Sequence, residues 1–198
     1  LYLGGFFLSF MSGNTTRLTA AFAEGAWEIV GKAAGVMALF LIGVMIGALI
    51  SRLGHLFLPP TRPREAVLLF ICLTATIASI WVVTGEELPA VLSLSFTVGA
   101  MNSIFERGGE VSISLTYMTG TLVKMSQRFV GAFFGGSHRD WINYFLLWAA
   151  LAIGAIFGGW CFTTIGLKAV WVVTAMIIGG TAVALANRHR RRKAGLHV

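Results

Sequence analysis

The 198-residue sequence predicts an all-α polytopic membrane protein. About six to seven membrane helices would form two inverted repeats, with short extended segments leading into half-helices near the membrane centre. Three observations carry this reading. Hydrophobic residues make up 57% of the chain and charged residues 12%, against roughly 45–50% and about 25% in an average soluble domain. Several windows reach the roughly 20 apolar residues that cross a hydrocarbon layer of about 30 Å as helix. A short motif, "MSGN" from Met11, also returns as "MTGT" from Met118.

The elements follow from hydropathy and its breakers. A first long helix is expected over about 27–53, followed by a loop holding His55, Pro59, Pro60, Arg62, Pro63 and Arg64. A second runs over about 65–84 and ends at Gly85, Glu86, Glu87 and Pro89; residues 88–105 are then apolar again. In "VSISLTYMTG" (111–120) apolar and polar residues alternate with the period of a half-buried strand. A helix over about 119–134, a polar break at Ser137, His138, Arg139 and Asp140, and helices over about 141–164 and 167–187 complete the chain.

"GGFFLSFMSGNTTRL" (4–18) matches "GGEVSISLTYMTGTLVKM" (108–125) at an offset of 107 residues, which sets Arg17 on Lys124. The same offset maps Gly43, Gly47 and Ser51 onto Ala150, Gly154 and Gly158. Such small-residue stripes let helix backbones approach closely in lipid. The chain therefore reads as one integral membrane domain over 1–198, with repeat one at 1–85, repeat two at 86–187 and a basic cytoplasmic tail at 188–198. Because the sequence starts at Leu1 without an initiator Met or a charged leader, it also reads as a piece lacking its natural beginning.

Arg52, Arg62, Arg64 and the tail Arg188, Arg190, Arg191, Arg192 and Lys193 mark cytoplasmic ends, whereas Glu24, Glu28, Glu86 and Glu87 mark the other side. Both assignments hold if 88–134 makes one net crossing; Lys168, in an outer turn, counts against it. The net charge of +7 thus points to anionic lipid beside membrane segments rather than to nucleic acid. Cys72 and Cys161 lie in apolar segments without metal-ligand spacing, and the four histidines fall in loops or tail. No metal, cofactor or enzyme chemistry is expected.

Extended backbone at membrane depth is tolerated only where protein or a water-filled cavity satisfies it. Here two such stretches run into helix starts at Ser12-Gly13-Asn14 and Thr119-Gly120-Thr121, with Ser, Thr and Asn suited to N-caps. Helix N-termini carry free N–H groups and partial positive charge, and broken elements in matching repeat positions mark transporter binding sites. The candidate substrate-binding residues are Ser12, Gly13, Asn14, Arg17, Asn102, Tyr117, Thr119, Gly120, Thr121 and Lys124. The solute expected there is anionic or zwitterionic. Arg17 and Lys124 read equally well as groups that snorkel to lipid phosphates, and the glycines as packing devices. Ser95, Gly99, Asn102 and Glu106 form a stripe on one helical face that either lines a cavity or, the preferred reading, lets Asn102 hydrogen-bond between helices.

"FFLSFMSGNTTRL", "GAMNSIFERGG" and "LTYMTGTLVKM" together resemble the YoaK family of bacterial inner-membrane proteins, a family without assigned activity. The resemblance implies a multi-pass inner-membrane protein. It also implies an acidic residue in a helix before the first motif, whose second-half counterpart here is Asn102. The reading is a small-solute secondary transporter or channel; the alternative is a non-transporting scaffold or lipid-interacting protein. The bilayer is the partner in either case, and a homo-oligomer stays open.

Overall fold

Breakers in the sequence become helix ends. The computed structural model describes residues 6–57, 59, 62–107, 110–111 and 118–193. In order these form α1 (Met11–Ala23), α2 (Trp27–Phe57), α3 (Pro63–Thr84), α4 (Glu87–Met101), a 3-10 turn (Asn102–Phe105), β1 (Glu106–Arg107) and β2 (Glu110–Val111). Then come α5 (Met118–Ala132), α6 (His138–Ile165), a second 3-10 turn (Gly166–Lys168) and α7 (Ala169–Lys193). Pro63 opens α3, where its missing N–H costs nothing. Gly85, at φ 80°, closes it, and the N–H groups of Gly85 and Glu86 return to the carbonyls of Val82 and Trp81. Ser137 caps α6 by accepting a 3.3 Å bond from the Arg139 N–H.

Helices α2 and α3 and the 53-residue α6–α7 stretch are long and apolar enough to cross a membrane. Helices α1, α4 and α5, at 13, 15 and 15 residues, are shorter than the roughly 20 that a full crossing needs. The first long helix extends past its predicted end to Phe57. Strands β1 and β2 pair antiparallel, Glu106↔Val111 and Arg107↔Glu110, and Phe6 forms an isolated β-bridge. The alternation over 112–117 lies outside the described residues, and Glu106 stands beyond the end of the α4 helical face on which the sequence pattern set it.

The centre of the bundle is the α2–α4 contact. A Cβ at Gly43 would collide with the Phe96 carbonyl and one at Gly99 with the Phe40 carbonyl, so each helix offers its glycine to the other's backbone. Ser95 tightens the contact by donating a 2.8 Å hydrogen bond to the Val36 carbonyl. Val67 and Ile71 of α3 pack under Ala100 of α4.

Helix α3 also meets α7 through hydroxyls. Ser79 and Thr174 share a 2.8 Å hydrogen bond, Thr174 donates to the Ala75 carbonyl at 3.3 Å, and the Cys72 thiol donates to Thr181 Oγ1 at 3.3 Å. Because Ser79 meets Thr174 while Cys72 meets Thr181, the two helices run antiparallel. One end of the bundle therefore gathers the 57–63 turn, the start of α6 and the end of α7. Arg52, Arg62, Arg64, Arg139, Arg188 and Arg190 cluster at this arginine end, with Glu65 and Asp140 among them. Glu24, Glu28, Glu86 and Glu87 occupy the opposite, glutamate end, together with Lys32 and Lys168.

Candidate functional site

The site starts with the residues that precede α1. Leu8 packs both on the Phe6, Ala33, Val36 and Val91 cluster and on the Ala78, Leu94 and Val170 cluster. The lead-in to α1 thus threads between α2, α4, α3 and α7. Its backbone polar groups need partners there, and Asn14 supplies them. The Asn14 side chain, fully buried, accepts from the Phe7 N–H at 2.9 Å and donates to the Phe7 carbonyl at 2.6 Å. One amide stands in for a neighbouring strand.

The helix starts one residue before the predicted cap. Phe10 is its N-cap and makes no side-chain cap bond, and the first intrahelical bond runs from the Asn14 N–H to the Phe10 carbonyl. The rings of Phe7 and Phe10 meet edge to face at 5.3 Å, and Phe10 lies over Gly13 where a Cβ would collide with it. Ser12 is exposed. The Arg17 guanidinium, one turn further on, stacks over the Phe6 ring at 4.9 Å from its centroid.

In the second half α5 likewise starts at its motif methionine. Gly120 and Thr121 are buried, whereas Thr119 and Lys124 are exposed. Lys124 and Arg128 share a helical face four residues apart, and Arg128 pairs with Asp140 of α6 at 3.5 Å. Phe129 packs edge to face on Trp141 at 5.2 Å, pinning α5 along α6. Tyr117 lies outside the described residues. Asn102, buried at the end of α4, donates to the Val98 and Gly99 carbonyls of its own helix at 3.2 and 3.4 Å.

The predicted site residues fall into three places. Asn14 and Arg17 gather with Phe6 and Phe7; Thr119 to Lys124 sit on α5 against α6; Asn102 closes α4. Helix α1 packs on α2, and α5 on α6. Helix α1 runs outward to the glutamate end and α5 to the arginine end. Their motif starts therefore lie about 20 Å inward from opposite ends of the bundle, at about 1.5 Å per residue. Sequence reasoning missed the Phe7 partner of Asn14 and the Ser79–Thr174 seam. The spacing of Ser and Thr in α3 and α7 signals polar faces but not which faces meet. The Gly154–Gly158 stripe, predicted to pack closely, is open: a Cβ at either would meet nothing within 4 Å.

Among the described residues no group of three or more His, Cys, Asp or Glu side chains is placed to hold a metal. Cys72 and Cys161 are free thiols.

Comparison with known proteins agrees with the membrane character. Residues 1–184 match the family described as "Protein of unknown function (DUF1275)". The chain is 28% identical over 190 residues to "UPF0700 transmembrane protein RA0705" of Rhizobium meliloti (strain 1021), an alignment covering 95% of this chain and 80% of that protein. No solved structure matches it.

Proposed function

The chain belongs to the DUF1275 family of transmembrane proteins of unknown function, and from that premise we propose that it is a small-solute secondary transporter or channel of the bacterial inner membrane, akin to the YoaK proteins. The observation that carries this reading is the pair of short helices that begin at matching motifs inside the bundle and run to opposite ends. Helix starts at 11, 27 and 63 recur at 118, 138 and 169, and α3 runs antiparallel to its counterpart α7. Both facts support two inverted repeats. The positive-inside bias supports a cytoplasmic arginine end and C-terminus.

Within this reading the roles divide. Asn14 holds the lead-in in place and leaves the N–H groups of the first turn of α1 for the solute. Thr119, Gly120 and Thr121 provide the second helix start. Arg17 and Lys124 add full positive charge, which favours an anionic or zwitterionic solute.

A second reading, a non-transporting scaffold, draws on the Phe7 and Phe10 rings that cover the start of α1. A binding screen separates the two. The purified chain is heated in detergent with inorganic phosphate, sulfate, small carboxylates and amino acids. Transport predicts that at least one class raises the melting temperature, and that Arg17→Ala and Lys124→Ala remove the shift. If no class does so, and proteoliposomes take up none of them, the scaffold reading stands.

A further inference from the structure

The α2–α4 contact repeats every four residues. From α4, Ser95 donates to the Val36 carbonyl at 2.8 Å, Gly99 lies against the Phe40 carbonyl, and Ser103 donates to the Val44 carbonyl at 3.5 Å. From α2, Gly43 lies against the Phe96 carbonyl and Gly47 against that of Ala100. Every step is four residues on both helices, so the two run parallel and meet through the same kind of surface at each turn. The crossing is tightest where Gly43 and Gly99 face carbonyls, and a Cβ at either would collide.

Helix α2 offers that crossing a second seat. Beyond Gly43 stand Gly47 and then Ser51, the latter buried. With α4 advanced four residues along α2, about 6 Å, Gly47 takes the Phe96 carbonyl and Ser51 that of Ala100. Ser95 then donates to the Phe40 carbonyl, Gly99 lies on that of Val44, and Ser103 reaches that of Ala48. Each contact is replaced by one of its own kind. The opposite step is barred, because it brings Leu39 under the Phe96 carbonyl, where a Cβ collides. Helix α7 must travel with α3: a four-residue shift between them sets Ser79 against Val170 or Ile178 and breaks its bond to Thr174. Helix α3 in turn is tied to α4 by the tight turn at Gly85.

We propose that α3, α4 and α7 slide as one body along α2, by one turn toward the arginine end, with the α2–α4 seam as a two-position ratchet. Helix α1, packed on α2, is thereby displaced about 6 Å past α3, α4 and α7. The slide needs no solute, so its test stands apart from the transport reading.

The test is disulfide formation in native membranes, in the full chain carrying Cys72→Ser and Cys161→Ala, with the apolar oxidant copper–phenanthroline. Ser103 now lies against Gly47, where a Cβ would be 2.7 Å from its Oγ. Ser51, one turn further on, is beyond the roughly 3.5–4.5 Å that separates the Cβ atoms of a disulfide. After the slide Ser51 stands where Gly47 stood. Ser51→Cys with Ser103→Cys should therefore link, about 10- to 1,000-fold more slowly than the likewise buried control Ser79→Cys with Thr174→Cys, as befits a position populated at about 0.1–10%. Ser51→Cys with Ser95→Cys, out of reach in both positions, should stay unlinked. Adding Gly47→Ala, which sets a methyl under the Phe96 carbonyl after the slide, should slow the 51–103 pair about tenfold or more. A 51–103 pair that links no faster than 51–95, or that Gly47→Ala leaves unslowed, overturns the proposal. Should Gly47→Ala fail to fold, the ratio of the 51–103 rate to the 51–95 rate decides: about tenfold or more supports the slide, and a smaller ratio overturns it.

Discussion

At the residue scale, Asn14 decides whether the lead-in to α1 is stable at depth. Its amide satisfies both polar groups of Phe7, and leaving each of them unpaired costs about 1–3 kcal/mol. Asn14→Leu should therefore lower unfolding stability by about 2–4 kcal/mol, measured by denaturant titration in mixed micelles. Ser12→Ala, at an exposed position, should leave that stability within about 0.5 kcal/mol of wild type. Loss of stability in both, or in neither, would remove Asn14 from its role. The sequence made Asn14 conspicuous but not its task. An Asn before an apolar helix reads as a cap, whereas its actual partner is set by how the chain doubles back seven residues upstream.

At the scale of elements, two matching small-residue stripes have opposite fates. Gly43 and Gly47 of α2 press on the backbone of α4, whereas a Cβ at Gly154 or Gly158 of α6 would meet nothing within 4 Å. Gly99→Val should cost about 1–3 kcal/mol or more through overpacking against the Phe40 carbonyl. Gly154→Ala should be neutral or stabilising by up to about 1 kcal/mol, because alanine is the better helix former. Thermal unfolding of both variants checks the contrast, and equal losses would contradict it. The seam between α3 and α7 is a second test. A double-mutant cycle on Ser79→Ala and Thr174→Ala should give a coupling of about 0.5–1.5 kcal/mol, the range for interhelical hydroxyl bonds in membranes, and zero coupling would mean that the bond contributes nothing. The long helices were legible because twenty apolar residues have few other fates in lipid. The partner of each glycine stripe was not, since composition records that a helix can be approached and not what approaches it.

At the scale of the whole molecule, the antiparallel α3–α7 contact sorts the helix ends by charge. Cysteines introduced at Arg62 and Ser137, in a background lacking Cys72 and Cys161, should react with an impermeant thiol reagent from one side of the membrane. Cysteines at Glu24 and Glu86 should react only from the other. Labelling of Arg62→Cys and Glu24→Cys from the same side would break the topology. The charge pattern along the chain anticipated this sorting, and the 107-residue offset anticipated that short helices start at Met11 and Met118. Of the strand predicted over 111–117 only Val111 is among the described residues, and it pairs with Glu106. The central claim is that the two motif starts flank one site. It is tested most directly by cross-linking Ser12→Cys to Thr119→Cys with a short bis-maleimide in native membranes, using Arg128→Cys with Asp140→Cys, at the exposed 3.5 Å ion pair, as the positive control. Efficient cross-linking of the 12–119 pair, slowed by whichever solute stabilises the protein, is the predicted result; a 12–119 pair that stays unlinked while the control pair links would contradict the account.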